Sequence, residues 1–408
     1  MTVQFPKLEP WQRDCFTVLQ RLSTDIDHDS NSWIVIKSRR QVGKSALLKV
    51  ALLYVSLLRK NAVSIFCSPV ISQSRKVFDE VAKSVPSLIS KSNASTLSLE
   101  FINGSKIDFV SAEQGKSIRG KTVKGGGLLV VDEAAFVSDD FFYGILVPTT
   151  NVNKSTILIA SSPFVKKGFF YDLFEKGGEG IYTFDWCLYD TSKYLSDDML
   201  QRYRDSLPRR IFQTEYMGEF ADGDSYIFGD FKDCINDHYQ YRGGDVILGV
   251  DWGSGSGEDY TVISVIEKQQ DKIVVLKQIA FNDKGPEATI EEIKHLNAFY
   301  NAKLIIVEKN SIGKVYLDLL RKQLKNVKPF ETTNSSKNSI INSLALKIER
   351  KEIIIPKDRA LIAELSFFQS KVNKNGTVTY SAPNGQHDDR VMSLAIGLSG
   401  FKNSYTIR

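Results

Sequence analysis

At 408 residues, with 42% hydrophobic and 25% charged positions, the chain has the size and composition of a globular protein of two ordinary domains, not of a disordered or fibrous one. No apolar run reaches the roughly 18 residues of a membrane span, and Met1-Thr2-Val3-Gln4-Phe5 lacks the basic-then-apolar pattern of a secretory leader. Cys15, Cys67, Cys187 and Cys234 are too scattered for a zinc or disulfide framework and read as buried thiols of a reducing compartment, while a net charge of +5 permits nucleic-acid binding without requiring it.

In chain order, Leu8 to Asp14 opens an amphipathic helix that Phe16, Leu19 and Leu22 continue. Gln12 on this helix could read an adenine ring, or be a surface glutamine beside a core tryptophan. Trp33-Ile34-Val35-Ile36-Lys37 reads as a buried strand entering Ser38-Arg39-Arg40-Gln41-Val42-Gly43-Lys44-Ser45. The last three residues end a phosphate-binding loop of the form G-x-x-x-x-G-K-[ST], in which backbone N–H groups cradle phosphates, the lysine neutralises them and the hydroxyl faces Mg2+. Ser38 stands where the first glycine is usual, and Arg39 and Arg40 fill the loop, where a guanidinium could reach a γ-phosphate. A helix is expected from Ser45 to Arg59, a buried strand from Ala62 to Ser68 and a further helix from Ser72 to Ser84. A hairpin follows around Asn103-Gly104.

Leu128-Leu129-Val130-Val131 then runs into Asp132-Glu133, the pattern of a parallel strand buried on both faces that delivers its acids at the C-terminal end. Asp132 is expected to hold magnesium and Glu133 to polarise the attacking water. A third apolar strand, Thr156 to Ala160, ends in Ser161-Ser162, whose hydroxyls could sense a γ-phosphate. Arg119, in the basic loop Ser117-Ile118-Arg119-Gly120-Lys121, could act as an arginine finger or be a solvated charge. Gly168 to Gly180 reads as a glycine-bearing turn region and Pro208 to Phe220 as helix.

Little periodicity marks residues 222–242, which are taken as a linker between domains at 1–221 and 243–408. Beyond it the pattern restarts. Val246 to Val250 is an apolar strand carrying Asp251; Tyr260 to Glu267 and Lys272 to Phe281 are strands around a polar turn; Pro286 to Tyr300 is a helix; and Leu304 to Val307 is a buried strand ending in Glu308. His387-Asp388-Asp389 opens a closing helix with an apolar face, where either acid could equally cap the helix. Asp251, Glu308 and Asp388 or Asp389 thus each bring a carboxylate to an element end. Such oxygen donors suit two hard divalent ions clamping a phosphodiester, the layout of an RNase H-like nuclease core. Asp259 is a further candidate. The fold class expected is α/β: an ASCE-type P-loop domain on a mainly parallel sheet with flanking helices, then an RNase H-like domain on a mixed sheet with helices.

In this combination the chain resembles the large terminases of tailed phages. The arginine-bearing loop Arg39 to Ser45 is similar to that family's atypical Walker A, Val131-Asp132-Glu133 to its Walker B, and Ser161-Ser162-Pro163 to its coupling motif. Gln12 falls where the family places its adenine-binding glutamine, Arg119-Gly120 resembles its inter-subunit finger, and Asp251, Glu308 and Asp388-Asp389 match its nuclease motifs. Of the two loop arginines, Arg40 better matches the family's. The resemblance implies ATP with Mg2+ in the first site and two Mg2+ or Mn2+ ions in the second. It further implies double-stranded viral DNA as substrate, moved into a procapsid and cut from concatemers. Implied partners are a portal, a small terminase subunit and sister copies in a ring of about five, with a monomer in isolation. The implied setting is the host cytoplasm, with transient docking on the procapsid, no membrane, and absence from the mature virion. The competing readings are a helicase-like or repair ATPase fused to a nuclease, and a DNA-binding assembly protein with decayed sites; the single set of P-loop motifs argues against the first and the intact acids against the second.

Overall fold

The computed structural model describes residues 7–24, 32–151, 155–222, 226–253, 260–282, 285–309, 311–372, 378–383 and 386–401. The chain divides into two compact units, the first built mostly from residues up to 203 and the second mostly from residues 225–371 and 379 onward. Among the described residues no helix is long and apolar enough to cross a membrane.

The first unit is built on an eight-stranded sheet. In chain order its strands are β1 (Trp33–Lys37), β2 (Val63–Ser68), β3 (Ile89–Asn93), β4 (Ser98–Phe101), β5 (Lys106–Ser111), β6 (Leu128–Asp132), β7 (Thr156–Ser161) and β8 (Ile181–Asp185). Their spatial order is β3-β4-β5-β2-β6-β7-β1-β8. Every pair from β5 to β8 is parallel; β3 and β4 add an antiparallel edge. Strand alternation sorts the core onto two faces. Ile34, Ile36, Phe66, Leu128, Val130 and Leu158 pack on one side with the helices Pro10–Thr24 and Lys44–Leu58. Val35, Ile65, Leu129, Val131, Ile157 and Ile159 pack on the other. A strand buried on both faces has no room for polar residues except at its ends, which is why the acids and hydroxyls gather at one edge of this sheet.

Two local expectations change. The stretch from Gly168 to Gly180 is not all turn: Phe169–Lys176 is a helix, with Phe169 and Phe170 buried and Leu173 and Phe174 packed against the same core. Gly168 and Gly177, at φ +92° and +59°, bound this helix instead of interrupting it. From Arg209 the chain makes one α-helical turn and then widens into a π-helix over Phe212–Met217, closed by Gly218 at φ +73°.

The second unit is built on a six-stranded mixed sheet of order β13-β12-β9-β10-β11-β14. Its strands are β9 (Asp245–Asp251), β10 (Thr261–Gln269), β11 (Lys272–Phe281), β12 (Leu304–Glu308), β13 (Val327–Phe330) and β14 (Ile353–Ile354). β9, β10 and β11 form an antiparallel meander, and β12 runs parallel to β9. Val246, Leu248, Val250, Ile305 and Val307 face a core shared with the helices Pro286–Tyr300 and Ser311–Gln323. Alternation turns Ile247, Gly249 and Asp251 to the opposite face, where the final helix Asp389–Leu398 is buried from Val391 to Leu398. The described part of the stretch read as linker is tied into this unit: Ile227 N–H donates to Phe368 O at 3.0 Å and Ile355 N–H to Cys234 O at 2.8 Å.

Candidate active sites

The first site forms at the C-terminal edge of the eight-stranded sheet. β1 pairs with β7 so that Lys37 stands beside Ser161, and β6 with β7 so that Asp132 stands beside Ala160. The loop after β1, the acids after β6 and the serines of β7 are therefore neighbours, although more than a hundred residues separate the first from the last. Gly43 takes φ +87°, a left-handed turn that lets the Lys44–Leu58 helix begin directly beneath the loop. Ser45 Oγ donates to Asp132 Oδ2 at 3.4 Å, and Glu133 N–H donates to Asp132 Oδ1 at 3.0 Å. Lys44 Nζ lies 3.3 Å from Glu133 Oε1. Ser161 Oγ donates to Glu133 Oε2 at 3.4 Å and accepts from Ala135 N–H at 3.1 Å, and Ser162 is buried beside it.

Burial, then the adjacent Glu133 charge, pushes the Asp132 carboxyl up to about 6, while Lys44 opposes the shift. A hydroxyl and a buried acid pressed against a second acid form a donor set that suits Mg2+. Gln12 is buried, not on the surface. Its Oε1 accepts from Glu9 N–H at 2.9 Å and its Nε2 donates to Gly43 O at 3.0 Å, so it braces the phosphate loop. Trp11 does the same through Val42 O at 3.1 Å.

The loop arginines are both engaged. Arg39 donates to Cys187 O at 2.6 Å. Arg40 forms a two-pronged pair with Glu215 at 2.5 and 3.0 Å, and its own N–H donates to Glu215 O at 2.9 Å. Glu215 sits in the π-helix, where an added residue per turn re-aims side chains; nothing in its sequence surroundings marked it. Arg119 is exposed on the loop after Ala112–Ile118. Gln41 adopts φ +61° and Val42 is buried under the loop, while Ser38 is wholly buried at its start.

The second site lies where β9, β12 and the final helix meet. β12 pairs with β9 so that Ile306 stands beside Gly249, which carries Glu308 level with Asp251 on the same face of the sheet. Asp251 is buried, and its carboxyl is held well above the usual carboxylate range, by burial first, then by the charge of Glu308 and a hydrogen bond shared with it, then by Asp389 and Asp388. Asp388 holds the N-cap position of the final helix, yet its side chain caps nothing. That role is taken by Glu364, which accepts Arg390 N–H at 2.8 Å and Val391 N–H at 3.1 Å; its carboxyl is pushed up to about 7 by burial. Asp389 Oδ2 accepts Tyr260 N–H at 3.1 Å and lies 3.7 Å from His387 Nδ1.

Two further residues enter this site without any signal in the sequence. Thr332 Oγ1 donates to Glu308 Oε1 at 2.6 Å, and Lys337 Nζ lies 3.2 Å from Asp388 Oδ2. Asp259 lies outside the described residues. Among the described residues no three Asp, Glu, His or Cys side chains already stand in ligand geometry around one point. A buried Asp251 carboxyl crowded by the oxygen donors Glu308, Asp388 and Asp389 nonetheless has the chemistry of a hard divalent-cation site.

Comparisons with known proteins agree with both halves. Residues 36–232 match the family model "Terminase large subunit, T4likevirus-type, N-terminal", and residues 248–399 match "Terminase RNaseH-like domain". The "Terminase, large subunit" of Thermus virus P23-45 is 25% identical over 412 aligned positions, covering 89% of this chain and 83% of its own. That of Thermus phage G20c is 24% identical with the same coverage. In structure, the chain is similar to the large terminase of a thermophilic bacteriophage solved in complex with ADP, with a TM-score of 0.61 at 14% identity, covering 97% of this chain and 99% of that one. With a P-loop unit and an RNase H-like unit each matching its own terminase model, the chain belongs to the phage terminase large subunit family.

Proposed function

We propose that the chain is the motor and cutting subunit of a viral DNA-packaging machine, hydrolysing ATP to translocate double-stranded DNA and cutting concatemers by metal-dependent phosphodiester hydrolysis. The observation that carries this reading is the presence of two separate acid sites in one chain, one beside a phosphate loop and the other on an RNase H-like sheet. Residues 1–221 serve ATP hydrolysis, residues 243–408 serve DNA cleavage, and 222–242 join them.

In the first site Lys44 and the backbone of Gln41 to Ser45 hold the phosphates, and Ser45 and Asp132 hold Mg2+, which supplies charge neutralisation when bound. Glu133 takes the proton of the attacking water, with Lys44 leaving it for the phosphates. The Ser161 hydroxyl on Glu133 reports the state of that carboxylate to β7, with Ser162 beside it. Gln12 positions the loop and lies where an adenine could be read. Arg39, Arg40 and Arg119 supply positive charge to the phosphates, Arg119 towards a neighbouring copy. In the second site Asp251, Glu308 and Asp388, with Asp389, hold two Mg2+ or Mn2+ ions, which supply Lewis-acid charge at the scissile phosphate.

Family membership makes DNA and the packaging machinery the partners. More finely, we propose docking on a procapsid portal as a ring of about five copies, DNA delivery by a small terminase subunit, and action in the host cytoplasm before the mature virion forms. Lys44→Ala or Glu133→Ala should abolish ATP turnover yet leave Mn2+-dependent plasmid cleavage, and Asp251→Ala should do the reverse. DNA movement should require procapsids; strand separation of a forked duplex without them would replace the packaging motor with a helicase.

A further inference from the structure

The nuclease acids do not stand alone. The segment from Glu331, directly after β13, to Lys337 in the first turn of the helix Asn334–Glu349 brackets them: Thr332 donates to Glu308 at one end and Lys337 pairs with Asp388 at the other. The segment is held firmly. Glu331 pairs with Lys309, and Thr333 and Ser336 form a reciprocal capping box, Ser336 N–H to Thr333 Oγ1 at 3.1 Å and Thr333 N–H to Ser336 Oγ at 2.8 Å. Lys337 falls in the first helical turn, so its stem is fixed, and neither side chain of the pair is free in solvent, with 22% of Lys337 and 27% of Asp388 accessible.

The four acids are satisfied differently. Asp251 and Glu308 share a hydrogen bond, and Asp389 accepts a backbone N–H. Asp388 pairs with the ammonium of Lys337 at 3.2 Å. An ammonium on a carboxylate that is a candidate metal ligand must compete with the metal, because both claim the same oxygen lone pairs and repel one another.

We infer that Lys337 is the resident counter-ion of the nuclease site: it holds Asp388 when no metal is bound, yields it to a divalent cation, and then meets the anionic DNA backbone. This rests on reading the second site as the nuclease. The design ties metal loading to DNA binding, since the displaced ammonium finds its best new partner in a phosphate.

The test is the full chain with Lys337→Gln and Lys337→Arg, using Mn2+ as probe. Manganese binding is followed by electron paramagnetic resonance, counting the part that Asp251→Ala removes. Lys337→Gln should tighten that binding by about two- to five-fold, as expected for loss of a partly accessible ion pair, while single-turnover plasmid cleavage at saturating Mn2+ slows at least ten-fold. Lys337→Arg should restore both. Unchanged or weaker Mn2+ binding in Lys337→Gln, or cleavage at the wild-type rate, overturns the inference. If Asp251→Ala removes no Mn2+ binding, the nuclease reading of the site fails first.

Discussion

Gly249 is where the second site depends most on a single missing atom. It sits on β9 two residues before Asp251, on the face crossed by the final helix, and Gly397 of that helix lies directly over it. A Cβ at Gly249 would collide with Ser393 O and come within 2.5 Å of Gly397 N and 2.6 Å of Gly397 Cα. Those are backbone atoms, which cannot rotate away, so the helix itself must move. Ser393 O would lie at 2.2 Å, so reaching the 3.4 Å of ordinary contact needs a displacement of about 1.2 Å. Overpacking commonly costs about 1–3 kcal/mol, and a clash with backbone on a buried helix belongs at the upper end. About 3 kcal/mol should lower the melting transition of this unit by roughly 6–12 °C. The same displacement carries Asp388 and Asp389 away from Asp251, and an error of about 1 Å in a reacting constellation costs roughly a hundred-fold in rate. Gly249→Ala should therefore cut Mn2+-dependent plasmid cleavage about a hundred-fold at a temperature where the chain is still folded. ATP turnover, which belongs to the first unit, serves as the internal control and should stay within two-fold of wild type. A Gly249→Ala chain that melts and cuts like wild type would refute the close-packed crossing of β9 and the final helix as the source of the site's geometry.

Other expectations follow from the same physics. Glu215→Ala frees Arg40 from its two-pronged pair; since the Arg40 side chain is 60% accessible the pair contributes about 0.2–1 kcal/mol. If Arg40 must leave Glu215 to reach a phosphate, KM for ATP should fall by about two- to five-fold, and a rise would mean that Glu215 presents Arg40 to the nucleotide. Asp251 has a folded-state proton affinity above that of the unfolded chain, so its contribution favours folding below the unfolded value of 3.8 and is lost as pH rises through its raised folded value. Asp251→Asn should therefore raise the melting temperature in EDTA at pH 8, lose that gain as the pH is lowered towards 4, and abolish cleavage; a lower melting temperature at pH 8 would contradict the burial argument. Asp132 follows the same sign between 3.8 and about 6, so Mg2+ binding to the first site should release protons in that range and weaken as the pH falls through it, measurable by calorimetry in two buffers of different ionisation enthalpy.

Much of this was legible from residue order. Continuous apolar runs ending in acids read as central strands with their polar groups at one end, and the structure has Asp132, Asp251 and Glu308 as the last residues of such strands, with Glu133 next after Asp132. Gly43-Lys44-Ser45 needed no partner to be recognised, because its chemistry is local to the turn. The closing helix with Asp388 and Asp389 was visible too, but whether they cap it was not. Only tertiary packing brings Glu364, from a different helix, to the free N–H groups of Arg390 and Val391. Gly168 to Gly180 misled because glycines that bound a short helix look, in sequence, like glycines that fill a turn.

Sequence alone determined the long apolar strands, the phosphate loop and which strands end in acids, since alternation, turn dihedrals and residue charge are properties of a few neighbouring positions; the shorter strands Ile89–Asn93, Ile181–Asp185, Val327–Phe330 and Ile353–Ile354 were not read from it. Tertiary structure decided who stands beside whom. Glu215 reaches Arg40 across 175 residues, Thr332 reaches Glu308 across 24 and Lys337 reaches Asp388 across 51. Each of these is a polar residue in a helix or loop, with no periodicity or motif to mark it. Strand register and the crossing of Gly249 with Gly397 set those distances, and register is a property of the whole sheet.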